Sequence, residues 1–141
     1  MKHLLLLLLA VPAMATAETI LIDTDALEAR TVYDVAELTP LALTSEGDPA
    51  MLLLSLDAGD VVPPHATESG LRLLTVLSGE MSWGDGDAVD VSVERTFGPG
   101  SMLAVQAGEM HWVAARAGPV EIQLVLLDDE TAAPGIQEQL Q

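Results

Sequence analysis

The sequence contains no cysteine, has a single lysine at position 2 and lacks asparagine altogether. Without cysteine the chain has no thiol nucleophile, no thiolate metal site and no disulfide. Beyond Lys2 it has no lysine that could form a Schiff base or serve a phosphate-binding loop. The missing asparagine removes every N-glycosylation acceptor. These absences exclude thiol, Schiff-base and P-loop chemistry from the functions to be considered.

The first 17 residues have the three-part pattern of a secretory signal peptide. Lys2 precedes an apolar run from 4 to 11, and Ala15-Thr16-Ala17 forms an A-x-A cleavage site before Glu18. This apolar run is too short for a membrane-spanning helix, which needs about 20 residues. We therefore expect residues 1–17 to be removed, leaving a periplasmic or secreted product.

Positive charge is scarce. The whole chain has a formal net charge of −17, and the part after the expected cleavage site has four arginines against 22 acidic residues, or −18. A surface this acidic repels phosphate backbones and anionic lipids. We therefore expect neither nucleic acid nor membrane among the partners. The length after residue 17 is sufficient for one domain with its own core.

Short β-prone segments separated by Gly, Pro and Asp predict an all-β fold over residues 18–127. Ala88–Val93, for example, alternates Val with small or polar residues, which is the period of a half-exposed strand. Turn signals that recur about every 8–12 residues are typical of a sandwich or a jelly-roll barrel. We expect little helix, at most around 24–29 and in a polar tail at 128–141. The predicted strands are 19–22, 31–35, 51–56, 61–64, 71–77, 80–83, 88–93, 101–105, 110–114 and 120–127.

Only two histidines follow the expected signal peptide, and each comes directly after a turn, where a predicted strand ends or begins. His65 follows Pro63-Pro64, and His111 follows Gly108-Glu109-Met110. A single histidine in a β-domain is most often structural. Two histidines in equivalent positions, with no others after residue 17, indicate a pocket.

With these histidines the sequence resembles the cupin superfamily over about 50–126. The first cupin motif is Gly, five residues, His-x-His, three or four residues, Glu, six residues, Gly. Its matching positions here are Gly59, His65 and Gly79. The second motif is Gly, five residues, Pro-x-Gly, two residues, His, three residues, Asn. Its matching positions are Gly100, Gly108 and His111. The resemblance implies a jelly-roll barrel, the double-stranded β-helix.

The chain departs from the cupin motifs at four positions. Thr67 replaces the second histidine, Arg72 the glutamate, Gln106 the proline and Ala115 the asparagine. In metal-binding cupins the three histidines and the glutamate hold iron, manganese, nickel, copper or zinc. Two imidazoles are fewer than the three or four protein ligands that hold a divalent metal firmly, and a guanidinium repels a cation. We therefore expect no tightly held metal and no other cofactor.

The function that this pattern favours is the binding of a small organic anion, with no catalysis or only weak catalysis. His65, Thr67, Arg72 and His111 would line the pocket. Arginine pairs with a carboxylate through two parallel hydrogen bonds, and histidine can donate as well. The acidic exterior would slow the entry of such a ligand, which is an argument against this function.

Two other functions remain open. In the first, a metal-dependent enzyme of the oxygenase or isomerase type holds a weakly bound iron, manganese, nickel, copper or zinc ion. Its ligands would be His65, His111 and a carboxylate from Glu68 or Glu109, a set that suits non-haem iron. In the second, the barrel is purely structural or binds a protein partner.

The strand pattern also predicts a homodimer. If His111 faces the pocket, Trp112 faces the opposite side, because successive side chains alternate along a strand. An outward tryptophan indicates a buried contact with a second subunit, and cupins commonly dimerise.

Overall fold

The computed structural model describes residues 19–128, which form ten β-strands in two antiparallel sheets. The predicted all-β class is confirmed. The strands are β1 (Arg30–Val32), β2 (Ala36–Leu43), β3 (Pro49–Leu56), β4 (Val61–His65), β5 (Leu71–Ser78), β6 (Met81–Asp85), β7 (Arg95–Phe97), β8 (Met102–Gln106), β9 (His111–Ala114) and β10 (Val120–Leu127). The predicted signal peptide and the tail beyond Asp128 lie outside the described residues.

The two sheets face each other and share one interior. The larger sheet has the order β1-β2-β3-β10-β5-β8, and the smaller has the order β4-β9-β6-β7. From β3 to β6, and again from β7 to β10, each strand lies in the sheet opposite the strand before it. This repeated crossing is the jelly-roll topology, and it brings motif residues that are distant in sequence to the same interior.

The interior is solid at one end and hollow at the other. Along β10 the inward side chains are Val120 and Ile122, at 1% and 0% exposure, and then Leu124 and Leu126, which line a cavity. The same alternation places Arg72 on the cavity side of β5, because Leu126 is its cross-strand partner. The charged side chain of Arg72 therefore points into the barrel, at a position where the alternation of the strand would place an apolar residue.

Trp112 on β9 is covered by its own chain. Its indole ring lies over Gly84, directly opposite on β6, and its Nε1 donates a 3.0 Å hydrogen bond to Glu94. Arg116 donates two more hydrogen bonds to the same carboxylate. Trp112 is 1% exposed, so the predicted outward tryptophan is not available to a partner subunit. The homodimer loses this support and stays a prediction.

The strand predicted at 88–93 is wrong. This segment contains a short 3-10 helix, Val91–Val93, capped by Asp90, whose side chain accepts a 2.9 Å hydrogen bond from Ser92 N. The alternating valines are exposed, because β6 pairs with β7 instead of with this segment. The alternation of valine with polar residues therefore wrongly predicted a strand, because no strand among residues 19–128 pairs with this segment.

The N-terminal region also differs from the prediction. Residues 19–22 form no strand, and the helix expected around 24–29 is one 3-10 turn, Thr24–Ala26. The pattern missed β7 as well as β2, where Pro40 interrupts the β signal and the register with β3 shifts between Pro40 and Ala42. Within residues 19–128, no helix has the length and hydropathy needed to cross a membrane.

Candidate functional site

A cavity of about 460 Å³ opens into the hollow end of the barrel. Ten aliphatic side chains from both sheets form most of its wall, for example Leu52, Leu74 and Val113. The polar side chains that line it are Arg30, Tyr33, His65, Thr67, Arg72 and His111. All four pocket residues expected from the sequence therefore lie around one cavity. Their role in binding stays a prediction.

The two histidines are cross-strand partners. His65 at the end of β4 pairs with His111 at the start of β9, and their ring centroids are 4.3 Å apart. Each Nδ1 lies 2.9 Å from a backbone carbonyl two residues earlier, that of Pro63 for His65 and of Glu109 for His111. Since a carbonyl can only accept, each Nδ1 carries the hydrogen. In the neutral rings Nε2 is therefore a hydrogen-bond acceptor.

The Trp83 ring supports the ring of His111. The two rings stack, with centroids 4.4 Å apart and planes 10° from parallel. Trp83 is fixed in turn by a 2.8 Å hydrogen bond from Nε1 to Asp85 Oδ1. Burial lowers the pKa of His111, an effect that the nearby His65 reinforces, whereas the hydrogen bond to the Glu109 carbonyl and the charge of Asp85 oppose it. Burial therefore favours the neutral ring.

Arg72 reaches the cavity beside a glycine. A Cβ atom at Gly70 would lie 2.9 Å from Arg72 Nη1 and 2.5 Å from the carbonyl oxygen of Leu127, so the guanidinium occupies space that a side chain would fill. Among residues 19–128 no carboxylate lies within ion-pair distance of Arg72. Burial lowers the pKa of Arg72 and the charge of Asp128 raises it, but arginine stays charged at any physiological pH.

Thr67 brings a buried hydroxyl group without a partner. Its Oγ1 is the one buried side-chain N or O atom that lacks a hydrogen bond among residues 19–128. The backbone holds it in place, since the Thr67 carbonyl accepts a 2.9 Å hydrogen bond from Gly108 N. A buried hydroxyl without a partner costs about 1–3 kcal/mol, and its position on the cavity wall suits a ligand atom.

This hydroxyl leads to a stability prediction. We expect Thr67→Val to raise the free energy of unfolding of the ligand-free protein by about 1 kcal/mol, because valine removes the unpaired group at nearly constant volume. Urea denaturation measures the change. Thr75→Val, on the opposite face of the adjacent strand β5, is the matched control and should be nearly neutral. A destabilised Thr67→Val protein would show that the hydroxyl has a partner in solution.

Sequence reasoning missed two residues of the cavity, Arg30 and Tyr33. Tyr33 and Asp34 form a two-residue turn with φ of 55° and 61°, closed by a 3.3 Å hydrogen bond from Val35 N to the Val32 carbonyl. The turn places the Tyr33 ring 5.0 Å from that of His65. Left-handed φ values are uncommon for an aromatic residue, and such turns usually contain Asn-Gly or Asp-Gly. No sequence signal therefore indicated this turn.

The donor set does not suit a firmly held metal ion. Glu68 is exposed and does not line the cavity. Glu109 lines a second pocket, which it shares with His111 but not with His65. In the stretch 19–128 no three His, Cys, Asp or Glu residues lie close enough together to hold a metal. Neither candidate third ligand therefore joins the two imidazoles, and Arg72 occupies the position of a carboxylate ligand.

Comparisons with known proteins show the fold. No protein-family model and no curated protein sequence matches the chain. Among solved structures, the polyketide cyclase RemF from Streptomyces resistomycificus aligns with a TM-score of 0.62 at 16% identity, over 78% of this chain and 80% of that one. A predicted oxalate decarboxylase from Thermotoga maritima aligns with a TM-score of 0.61 at 16% identity, over 77% and 99%.

The description of a third structure names the fold. The structure is that of an uncharacterised conserved protein with a double-stranded β-helix domain from Klebsiella pneumoniae, with a TM-score of 0.57, 17% identity, and coverage of 79% of this chain and 91% of that one. The chain therefore has the cupin-type double-stranded β-helix fold, as its motifs implied. Proteins of this fold include enzymes, and at these identities the likeness extends to the fold alone.

Proposed function

We propose that this chain is an exported cupin-fold protein that binds a small organic anion in its cavity. The observation that carries the proposal is the charge of the cavity wall. Of the residues described, those that line the cavity include two arginines and no aspartate or glutamate, although the chain has 22 acidic residues against five basic ones. A wall without carboxylates in so acidic a protein favours an anionic ligand.

Arg72 is the main anion contact in this proposal. Its guanidinium can donate two parallel hydrogen bonds to a carboxylate, and the Thr67 hydroxyl can donate a third. The aliphatic wall lowers the local dielectric constant, which strengthens these hydrogen bonds. Arg30, on the exposed strand β1, adds a second positive charge to the cavity wall and offsets the repulsion of the acidic exterior.

The size and lining of the cavity define a suitable probe. At roughly 30 Å³ for each water-sized group, 460 Å³ holds a ligand of medium size. Because most of the wall is aliphatic, the body of the ligand should be apolar. Octanoate, one carboxylate on a short alkyl chain, meets both requirements.

The test is calorimetric titration of the exported chain with butanoate, hexanoate, octanoate and decanoate. We expect at least one of these acids to bind, and Arg72→Met to weaken that binding by tenfold or more, because it removes the charge but keeps the apolar stem. Arg95→Met is the matched control, since Arg95 lies outside this cavity and pairs with Asp85 at the surface. Absence of binding, or equal losses in both variants, would contradict the proposal.

A metal-dependent enzyme is the second candidate, and one observation favours it. The Nε2 atoms of His65 and His111 have no hydrogen-bond partner among residues 19–128 and could both bind a metal. Elemental analysis of protein purified without chelator decides between the candidates. A stoichiometric metal that disappears in both His65→Ala and His111→Ala would replace the anion-binding proposal.

A further inference from the structure

We infer that the ligand is a hydroxy acid with an aliphatic body, whose hydroxyl group donates a hydrogen bond to Nε2 of His65 or His111. This inference rests on the anion-binding function proposed above and specifies the class of ligand. It comes from the hydrogen-bonding character of the cavity, which has two different parts.

The first part consists of acceptors. In both rings Nδ1 donates to a backbone carbonyl at 2.9 Å, so the neutral ring presents Nε2 to the cavity as an acceptor. The backbone geometry fixes this tautomer in each ring. Turning the His111 ring over would replace Nδ1–H by a C–H and lose the hydrogen bond to the Glu109 carbonyl, while the stacking on Trp83 holds the plane of the ring.

The second part consists of donors. Arg72 offers N–H groups only, and Thr67 offers a hydroxyl that has no partner within the described chain. A carboxylate can satisfy these donors, but it cannot satisfy the two imidazole acceptors, because it has no hydrogen to donate. A ligand complementary to the whole cavity therefore needs a carboxylate together with a hydrogen-bond donor.

The donor should be neutral. An ammonium group could donate to Nε2, but it would enter a cavity that holds two guanidinium groups and, among residues 19–128, no carboxylate. Like charges in an apolar cavity repel strongly. A hydroxyl group donates without adding a positive charge. The geometry therefore favours a hydroxy acid over an amino acid.

The rest of the ligand should carry few polar groups. Ten of the sixteen lining residues are Leu or Val, and each buried ligand hydroxyl without a partner lowers the affinity. A sugar acid would bury several such groups against this wall. A short-chain or medium-chain hydroxy acid would bury one hydroxyl at the imidazole pair and its alkyl chain elsewhere.

The experiment compares octanoate, 2-hydroxyoctanoate, 3-hydroxyoctanoate and 2-aminooctanoate by calorimetric titration near neutral pH. We expect one of the hydroxy acids to bind about tenfold more tightly than octanoate, the gain that one well-placed hydrogen bond provides. The amino acid should bind more weakly than octanoate.

Two histidine variants locate the hydroxyl. His65→Phe and His111→Phe keep a ring in place but remove the acceptor. In one of them the ratio of hydroxy-acid affinity to octanoate affinity, both measured in that variant, should fall to about one. The corresponding Gln variant, whose side-chain oxygen can accept, should recover part of the preference. Thermal unfolding of each variant verifies that it folds. A preference that persists in both Phe variants would overturn the inference.

The remaining outcomes separate this inference from the proposed function. If octanoate binds through Arg72 and neither hydroxy acid binds better, the inference fails and the anion-binding function stands. If the amino acid binds best, an ammonium group is the donor and the inference fails. If no acid binds, both fail. If Zn²⁺ or Ni²⁺ binds stoichiometrically and is required for the acids to bind, the imidazoles are metal ligands and the inference is overturned.

Discussion

Replacing Gly84 with alanine should lower the free energy of unfolding by about 3 kcal/mol, a large effect for a single methyl group. A Cβ atom at Gly84 would overlap the six-membered ring of Trp112. The indole cannot move away easily, since it is 1% exposed and its Nε1 is hydrogen-bonded to Glu94. Urea denaturation monitored by circular dichroism measures the loss.

Two further variants determine whether the clash is the cause. Gly98→Ala is the matched control, because a Cβ atom there meets nothing within 4 Å and Gly98 does not have a positive φ. It should be neutral or slightly stabilising. In the Trp112→Phe background, which removes the overlapping atoms, Gly84→Ala should be much less harmful. An equal loss in both backgrounds would exclude the ring as the cause.

Replacing Glu94 with glutamine should lower the free energy of unfolding by about 2 kcal/mol. Glu94 is nearly buried, at 6% side-chain exposure, and it accepts hydrogen bonds from Arg116 and Trp112. We expect less than for a fully buried pair, because the Arg116 side chain is 34% exposed. Arg95→Gln breaks a pair whose partners are 59% and 67% exposed, and it should change stability by less than about 1 kcal/mol.

The difference between wild type and Glu94→Gln should depend on pH. The hydrogen bonds from Arg116 hold the pKa of Glu94 below its ordinary value, and the N–H of Trp112 lowers that pKa further. The stabilisation is therefore complete above the pKa of glutamate in an unfolded chain, about 4.3. It is lost as the pH falls through the lower pKa of the folded state. A difference that stays constant below about pH 4 would contradict this role.

The proposed function depends on Thr67 and Arg72, the two residues at the positions of metal ligands in the cupin motifs. Thr67 and Arg72 stand at positions where the cupin motifs have histidine and glutamate, and both line the cavity with His65 and His111. The same backbone thus presents donors in place of two metal ligands. In the proposed function these donors contact the anion directly, whereas a metal-binding cupin would use the glutamate and the second histidine of its first motif for the metal.

Much of the candidate site could be predicted from the sequence because motif spacing fixes register. Gly59 and Gly79 lie in turns before and after His65, and Gly100 and Gly108 lie in turns before His111. These turns fix where the neighbouring strands start and end. The two rings therefore lie side by side, as cross-strand partners. The inward direction of Arg72 follows from the period of β5 once its register is known. The prediction failed for cavity residues outside the two motifs, such as Arg30 on β1 and Tyr33 in the turn that follows β1.

The sequence by itself determined the all-β class, the approximate limits of eight of the ten strands and four of the six polar residues at the cavity, His65, Thr67, Arg72 and His111. These follow from local periodicity and motif spacing. Only the tertiary structure decided which alternating segments find a partner strand, that Trp112 is covered by its own chain, and that Glu68 and Glu109 stay apart from the imidazole pair. Those outcomes depend on contacts between residues distant in sequence. No local pattern encodes such contacts, since each is selected by the packing of the complete barrel.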